Sequence, residues 1–100
     1  MFENPRFVTK GFQSSIPITT QLILFHMLDS IKHTHRLDYL QVFTLSIEKQ
    51  DGQNLQKIVL SQEKPPRSKV CLFPLENPVA AKIFVIDDYD HHTFLLAEEY

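Results

Sequence analysis

The hydrophobic pattern of the chain changes its period once, near Leu37, and this change constrains the fold more than any other feature. From Pro17 to His33 apolar residues recur at helical spacing, whereas from Leu37 onwards apolar and polar residues alternate. Asp51-Gly52 then gives a strong hairpin signal between two strand-like runs. The sequence therefore predicts one helix followed by a series of antiparallel strands, not alternating βαβ units.

The predicted helix carries apolar residues on two sides. One side, expected to lie on a sheet, comprises Thr20, Ile23, Leu24, Met27, Leu28 and Ile31. Ile18, Leu22 and Phe25 form a second stripe at positions i, i+4 and i+7, and a single sheet cannot cover both. Either the N-terminal phenylalanines fold over this second stripe, or it contacts a protein partner or a second copy of the chain.

Six runs have the alternating, β-branched or aromatic character of strands. They span residues 7–10, about 37–47, 55–62, 70–73, 81–86 and 93–97, and the helix follows the first of them. The order β-α-β-β-β-β-β predicts an α+β fold, with one helix packed on a curled, mainly antiparallel sheet of five to six strands. One hundred residues are about the size of one domain, so we expect a single globular domain over 1–100.

Charge and cysteine content narrow the functional classes. Ten Lys and Arg residues against twelve Asp and Glu residues leave a net charge of -2, without the basic excess typical of nucleic-acid-binding proteins. The single cysteine, Cys71, allows no internal disulfide and suits a reducing cytosol. The longest apolar run, Leu22 to Leu28, is too short to span a bilayer, and the first residues lack the apolar core of a secretory signal. We therefore expect a cytoplasmic protein without a membrane segment or a nucleic-acid partner.

The turn predicted at residues 87–92 is the part of the chain most like a metal site. Asp88, Asp90 and His92 supply carboxylate and imidazole donors that suit a divalent cation, together with a histidine of the helix. The same groups could provide an acid/base pair. A polar hairpin turn, in which aspartate side chains cap their own backbone, accounts for the composition without any ligand.

Three cations, Lys64, Arg67 and Lys69, lie in a proline-stiffened loop. Such a group can bind a phosphate or an acidic peptide through charge-assisted hydrogen bonds. The loop has no interleaved aromatic residues on which bases could stack, which again disfavours nucleic acid. A loop of this composition is also common as an ordinary solvated connection.

Five segments spread over nearly the full length of the chain carry a family resemblance. They are Met1–Asn4 with Arg6–Thr9, Ile16-Pro17, Leu37–Phe43, Lys82–Asp88 and Leu95–Tyr100. In these segments the chain resembles a small family of uncharacterised proteins from Gram-positive bacteria, of the staphylococcal and streptococcal type, known as a domain of unknown function. The resemblance implies a small bacterial cytoplasmic protein, and it brings no activity, cofactor or catalytic residue with it.

Known enzyme signatures are missing from the sequence. Gly11 and Gly52 stand alone, so there is no glycine-rich phosphate loop, and G-x-S-x-G, C-x-x-C and H-E-x-x-H do not occur. The pattern disfavours an enzyme and a cofactor. It favours a non-enzymatic interaction module that binds a protein partner or a second copy of the chain through the helix stripe or an exposed sheet edge. The alternative is a divalent-metal or acid/base site at residues 87–92.

Overall fold

The computed structural model describes residues 1–34 and 36–100 and builds them into a mixed sheet with helices on one face. In chain order the elements are β1 (Arg6–Val8), α1 (Lys10–Ser15), α2 (Ile18–Ile31), β2 (Leu40–Gln50), β3 (Gln53–Gln62), β4 (Arg67–Phe73), β5 (Ala81–Asp87) and β6 (His92–Leu96). A 3-10 turn at Ala97–Glu99 follows the last strand.

The six strands lie in the order β1-β6-β5-β2-β3-β4. All neighbouring strands are antiparallel except β1, which runs parallel to β6. The prediction of an α+β fold with a mainly antiparallel sheet is therefore confirmed. The sheet has two outer strands of unequal length, three residues in β1 and seven in β4.

The short helix α1 was not predicted, because a bend was expected at Gly11. Thr9 begins this helix, and its hydroxyl oxygen accepts the backbone N–H of Phe12 at 3.1 Å. Phe12 is fully buried, so the short helix serves to place one large aromatic side chain in the core.

The hairpin between β2 and β3 forms where the sequence predicts it. Asp51 and Gly52 have φ values of +52° and +76°, the left-handed backbone that a two-residue hairpin turn requires. Gln50 and Gln53 pair directly on either side of the turn. This turn fixes the register of the two longest strands and hence which of their residues face the helices.

The core lies between the helices and one face of the sheet. From the strands it contains Phe43, Leu45, Ile58, Leu60, Ile83, Val85, Phe94 and Leu96, and from the helices Phe12, Leu24, Met27 and Leu28. The alternate residues of the strands, among them Val42, Phe84 and Leu95, are half-buried on the opposite face. No helix in the described part of the chain is long and apolar enough to cross a membrane.

Candidate functional site

Helix α2 lies on the sheet, and its two flanks, one carrying Phe25 and the other His26, differ in their surroundings. At about 100° per residue, Phe25 lies about 60° to one side of Leu22 and His26 about 40° to the other. Phe25 is half-buried, whereas Leu22 is 58% exposed. The stripe predicted from Ile18, Leu22 and Phe25 is therefore divided between the two flanks.

The flank that carries Phe25 is covered from within the molecule. The Phe25 ring packs edge-on against Phe94 of β6, with 5.0 Å between ring centres, and lies 6.2 Å from Phe12 of α1. An N-terminal phenylalanine thus covers part of the stripe, as one of the two interpretations of the sequence required. Ile18 and Leu22 receive no such cover and are 66% and 58% exposed.

Arg6 joins β1 to this covered flank. Its guanidinium donates to the Asp29 carboxylate of α2 at 2.5 Å and lies 5.1 Å from the centre of the Phe25 ring. Its Nε donates to Nε2 of His92 at 2.9 Å. Since that ring nitrogen accepts, Nδ1 of the neutral ring carries the proton and donates to Oδ1 of Asn4 at 2.7 Å.

These contacts set the charge states of the covered flank. Burial, and then the positive charge of Arg6, lower the pKa of His92 to about 4, so the ring is neutral near pH 7. The hydrogen bond from Arg6 lowers the pKa of Asp29 despite the opposing effect of burial. The flank therefore holds the carboxylate of Asp29, paired with Arg6 and Lys32, and a neutral, 1% exposed histidine.

Asp87, the first residue of the turn at residues 87–92, also holds the N-terminal segment in place through hydrogen bonds. Its carboxylate accepts the backbone N–H groups of Phe2 and Tyr89 and the amide of Asn4, each at 2.9 Å. Burial opposes ionisation, but these three donors outweigh it and lower the pKa of Asp87. In this turn an aspartate side chain does cap its own backbone, which is the feature of a polar hairpin turn.

The structure does not bring the residues of the predicted metal site together in one cavity. His92 is buried with both ring nitrogens hydrogen-bonded, whereas Asp88 and Asp90 are exposed in the turn. Within residues 1–34 and 36–100, no three His, Cys, Asp or Glu side chains are grouped so that they could hold a metal ion. His33, which the sequence placed at the end of the helix, lies in the turn beyond α2 and contacts Glu3 at 3.0 Å.

The other flank of α2 borders an open groove. Its widest part is a hollow of about 360 Å³ between α2 and the outer strand β4. The lining side chains are mainly apolar or small: Thr19, Leu22, Ile23, His26, Met27 and Ser30 from α2, and Lys69, Cys71 and Phe73 from β4. Leu22 forms an exposed rim, and Met27, which is 3% exposed, belongs to the floor. The hollow is suited to an apolar side chain from outside the molecule.

A second hollow, of about 150 Å³, continues the groove towards the beginning of β4. Lys69 lines both hollows, and its ammonium lies 3.4 Å from the Ser30 hydroxyl on α2, so it marks their boundary. We call the two hollows together the α2–β4 groove. The groove is open along the outer edge of the sheet because no strand follows β4 in the sheet order.

Buried glutamines fix the narrow end of the α2–β4 groove. The Gln62 carbonyl oxygen accepts the amide of Gln41 at 2.8 Å and the backbone N–H of Asp38 at 3.1 Å. The Gln62 amide donates to the carbonyls of Arg36 and Pro65, at 3.0 and 2.8 Å. These contacts tie Gln62 to the segment 36–41 and to the loop that follows β3, so this end of the groove is held in shape before any ligand arrives.

The predicted anion-binding residues lie at the same groove. Arg67 and Lys69 belong to β4 and not to the predicted loop, and they line the groove, whereas Lys64 does lie in the loop that precedes β4. The residues that line the two hollows include no Asp or Glu, and in the described part of the chain none of the three cations forms a salt bridge. The lining of the groove is therefore positively charged on a chain whose net charge is -2.

The free edge of β4 presents unpaired backbone groups beside this groove. In each strand, the backbone N–H and C=O groups of successive residues point to opposite neighbouring strands. The groups of His92 and Phe94 bond towards β1, and the N–H of Asp87 bonds to Tyr39, which directly precedes β2. By the register of β3 with β4, the backbone groups of Arg67, Lys69, Cys71 and Phe73 bond to β3. Those of Ser68, Val70 and Leu72 therefore point away from the sheet. These three residues form the open edge.

Sequence reasoning identified parts of this site without placing them together. Leu22 and the cation group of Lys64, Arg67 and Lys69 were separate candidates, and the fold brings Leu22, Arg67 and Lys69 to one side of α2, whereas Ile18 does not line the groove. The glutamines Gln41 and Gln62 were missed. Their signal was present, since each occupies an inward position of an alternating strand where apolar residues are expected.

Comparisons with known proteins agree with the fold but do not name an activity. A family model described as "Staphylococcal protein of unknown function (DUF960)" matches residues 5–99, and the chain belongs to this family. A crystal structure of a protein of unknown function from Enterococcus faecalis is similar, with 25% identity and a TM-score of 0.79, over 98% of this chain and 92% of that one. No curated protein matches the chain.

Proposed function

We propose that this member of the staphylococcal family of unknown function is a non-enzymatic protein-interaction module that binds an extended segment of a partner protein along β4. The observation that carries the proposal is the position of the α2–β4 groove directly beside an unpaired strand edge. Backbone hydrogen bonds to such an edge supply affinity, and hollows for alternate side chains supply specificity.

The geometry of β4 suits the addition of a strand. Ser68, Val70 and Leu72 direct their backbone groups outwards, while the side chains of Lys69, Cys71 and Phe73 point towards α2 and line the groove. In a segment paired with this edge, every second side chain points to the helix side of the sheet. Those side chains are placed to enter the hollow rimmed by Leu22.

An exposed residue of α2 completes the surface. Leu22 is a large apolar side chain at the rim of the groove and is 58% exposed. Apolar surface of this kind beside an open groove is typical of a binding site. The other outer strand, β1, is a poorer surface for strand addition because it has only three residues and continues almost at once into α1.

A selection with displayed random linear peptides tests the proposal on the intact protein. Peptides enriched on the immobilised protein are synthesised, and their affinities are measured by fluorescence anisotropy. We expect Val70→Pro to weaken binding by about tenfold or more, because proline removes an outward N–H and its ring obstructs the added strand. The matched variant Val70→Ala keeps the N–H and should lose less than about threefold.

Val70→Pro should still fold, since Val70 is 55% exposed and its N–H has no partner in the sheet. A thermal melt of both variants checks this. The proposal fails if no peptide is enriched, or if the enriched peptides bind equally well to wild type and to folded Val70→Pro.

The single cysteine supplies an independent readout of where the peptide binds. Cys71 is half-buried and lines the wide hollow. A peptide in the groove should slow alkylation of Cys71 by iodoacetamide, and this protection should disappear in Val70→Pro. Alkylation at an unchanged rate with saturating peptide places the peptide elsewhere and contradicts the proposed site.

A further inference from the structure

We infer that the segment bound in the α2–β4 groove is acidic, with a carboxylate directed at Arg67 and Lys69 and an apolar side chain in the hollow beside Leu22. This inference rests on the proposed function and adds the chemistry of the partner. It combines two observations that are independent in the sequence, the exposed apolar Leu22 of α2 and the cations Arg67 and Lys69 of β4, which line one groove.

The cations at the groove have no carboxylate partner among the described residues, and the Lys69 ammonium contacts only a hydroxyl, that of Ser30, at 3.4 Å. Elsewhere cations do pair, since Arg6 and Lys32 both reach the carboxylate of Asp29. Arg67, Lys69 and Lys64 form no salt bridge within residues 1–34 and 36–100. An incoming carboxylate therefore meets unpaired donors and displaces no internal ion pair.

The positive charge lies at one end of the groove and the apolar surface at the other. The cations lie at the beginning of β4 and at its third residue, whereas the apolar hollow extends towards the end of the strand at Phe73. Beyond that end, a further hollow includes the acidic residue Glu76. A bound segment therefore gains most when its carboxylate lies at the Arg67 end and its apolar side chain at the Leu22 end.

A second copy of the chain is a poor occupant of this edge. Two β4 strands paired through their free edges bring together only more cations, because β4 contains Arg67 and Lys69 and no Asp or Glu. Lysine on an outer strand is a common device against pairing of identical edges. Charge complementarity thus selects a partner of opposite sign over self-association.

The peptide selection decides the inference when it is repeated on charge variants. Wild type should enrich peptides that carry Asp or Glu a few residues from an apolar residue. The double variant R67E/K69E should lose affinity for these peptides by about tenfold or more. It should also enrich peptides with Lys or Arg in the same place, while R67Q/K69Q should lose the charge preference and keep the apolar one.

The dependence of peptide affinity on salt concentration gives a second measure of the charge contribution, with the same peptides. Affinity for wild type should fall as ionic strength rises, and this dependence should be smaller for R67Q/K69Q. Arg67 and Lys69 are both exposed, so both double variants should have melting temperatures close to that of wild type.

Each outcome separates the inference from the proposed function. Peptides without acidic enrichment that still depend on Val70 overturn the inference and leave strand addition standing. Peptides that do not depend on Val70, or no peptides at all, overturn both. A dimer of wild type in native mass spectrometry that dissociates in Val70→Pro identifies a second copy as the occupant and overturns the inference.

Discussion

The two flanks of α2 meet the sheet in opposite ways. On the β1 side, Phe25 and Asp29 are covered by aromatic rings and by the guanidinium of Arg6, which also reaches the buried His92. On the β4 side, Leu22 forms the rim of an open groove, and Lys69 spans it with a single contact of 3.4 Å to a serine.

The difference separates a surface that holds the fold together from one that remains available. The side-chain polar groups around His92 are engaged with one another, so a ligand there could bind only by displacing internal hydrogen bonds. At the groove, the outward backbone groups of β4 have no neighbouring strand, and the cations form no salt bridge with the described residues. Substitutions on the β1 side should therefore change stability, and those on the β4 side should change binding.

His92→Ala should have the largest effect on stability, a loss of about 3 kcal/mol. The change leaves a cavity beside the Phe2 and Phe94 rings and removes the partner of both Arg6 and Asn4. Urea unfolding followed by circular dichroism measures it. His91→Ala is the control, because His91 is only half-buried, and it should stay within about 0.5 kcal/mol of wild type. Equal effects of the two changes contradict the structural role assigned to His92.

Phe25→Ala should destabilise the protein by about 2 to 3 kcal/mol, because the ring packs between Phe94, Phe12 and the Arg6 guanidinium. Thermal and urea unfolding give the value. A change below about 1 kcal/mol indicates that this flank is not packed as described.

Acidification from pH 7 to pH 5 should lower the free energy of unfolding by about 2 kcal/mol through His92. The folded pKa, about 4, lies below the ordinary histidine value of 6.5. The unfolded chain therefore binds the proton first, and the stability present above pH 6.5 is lost as the pH falls towards 4. The measurement is urea unfolding at several pH values.

A variant without the titrating ring gives the control for this pH dependence. In His92→Gln the loss between pH 7 and pH 5 should shrink, whatever the absolute stability of the variant. If wild type and His92→Gln show the same slope, another group is responsible for the pH dependence.

Leu22→Gln should have the smallest effect on stability, within about 0.5 kcal/mol, because the side chain is 58% exposed. The same change should weaken the peptides selected on wild type by about threefold or more, since it replaces the apolar rim of the groove. Anisotropy titrations and a thermal melt on one sample measure both. A variant that unfolds, or one that binds normally, removes Leu22 from the proposed site.

Much of the fold was accessible from the sequence because it depends on local periodicity. The alternation after Leu37, the Asp51-Gly52 turn and the buried helix face with Leu24, Met27 and Leu28 are all present in the structure. The short helix α1 was not foreseen, because its capping hydroxyl at Thr9 gives a weak signal beside an isolated glycine.

The site itself was accessible only in pieces. The sequence indicated an uncovered apolar stripe, an unassigned cation group and an exposed sheet edge. It could not indicate that Phe25 leaves the stripe while Leu22 and Lys69 share one groove. That depends on which strand lies under which flank of α2, and so on contacts between residues far apart in the chain.

The sequence by itself thus determined the main helix, the strands, their order along the chain and the faces they bury, since hydrophobic period and turn chemistry act over a few residues. Only the tertiary structure decided that β1 joins the sheet beside β6, so that Arg6 can reach Asp29 and His92, and that β4 remains at the opposite edge. Strand order follows from packing between residues far apart in the chain. It places Arg6 and Asp29 in the covered network around His92 and leaves Leu22 and Lys69 beside an open sheet edge.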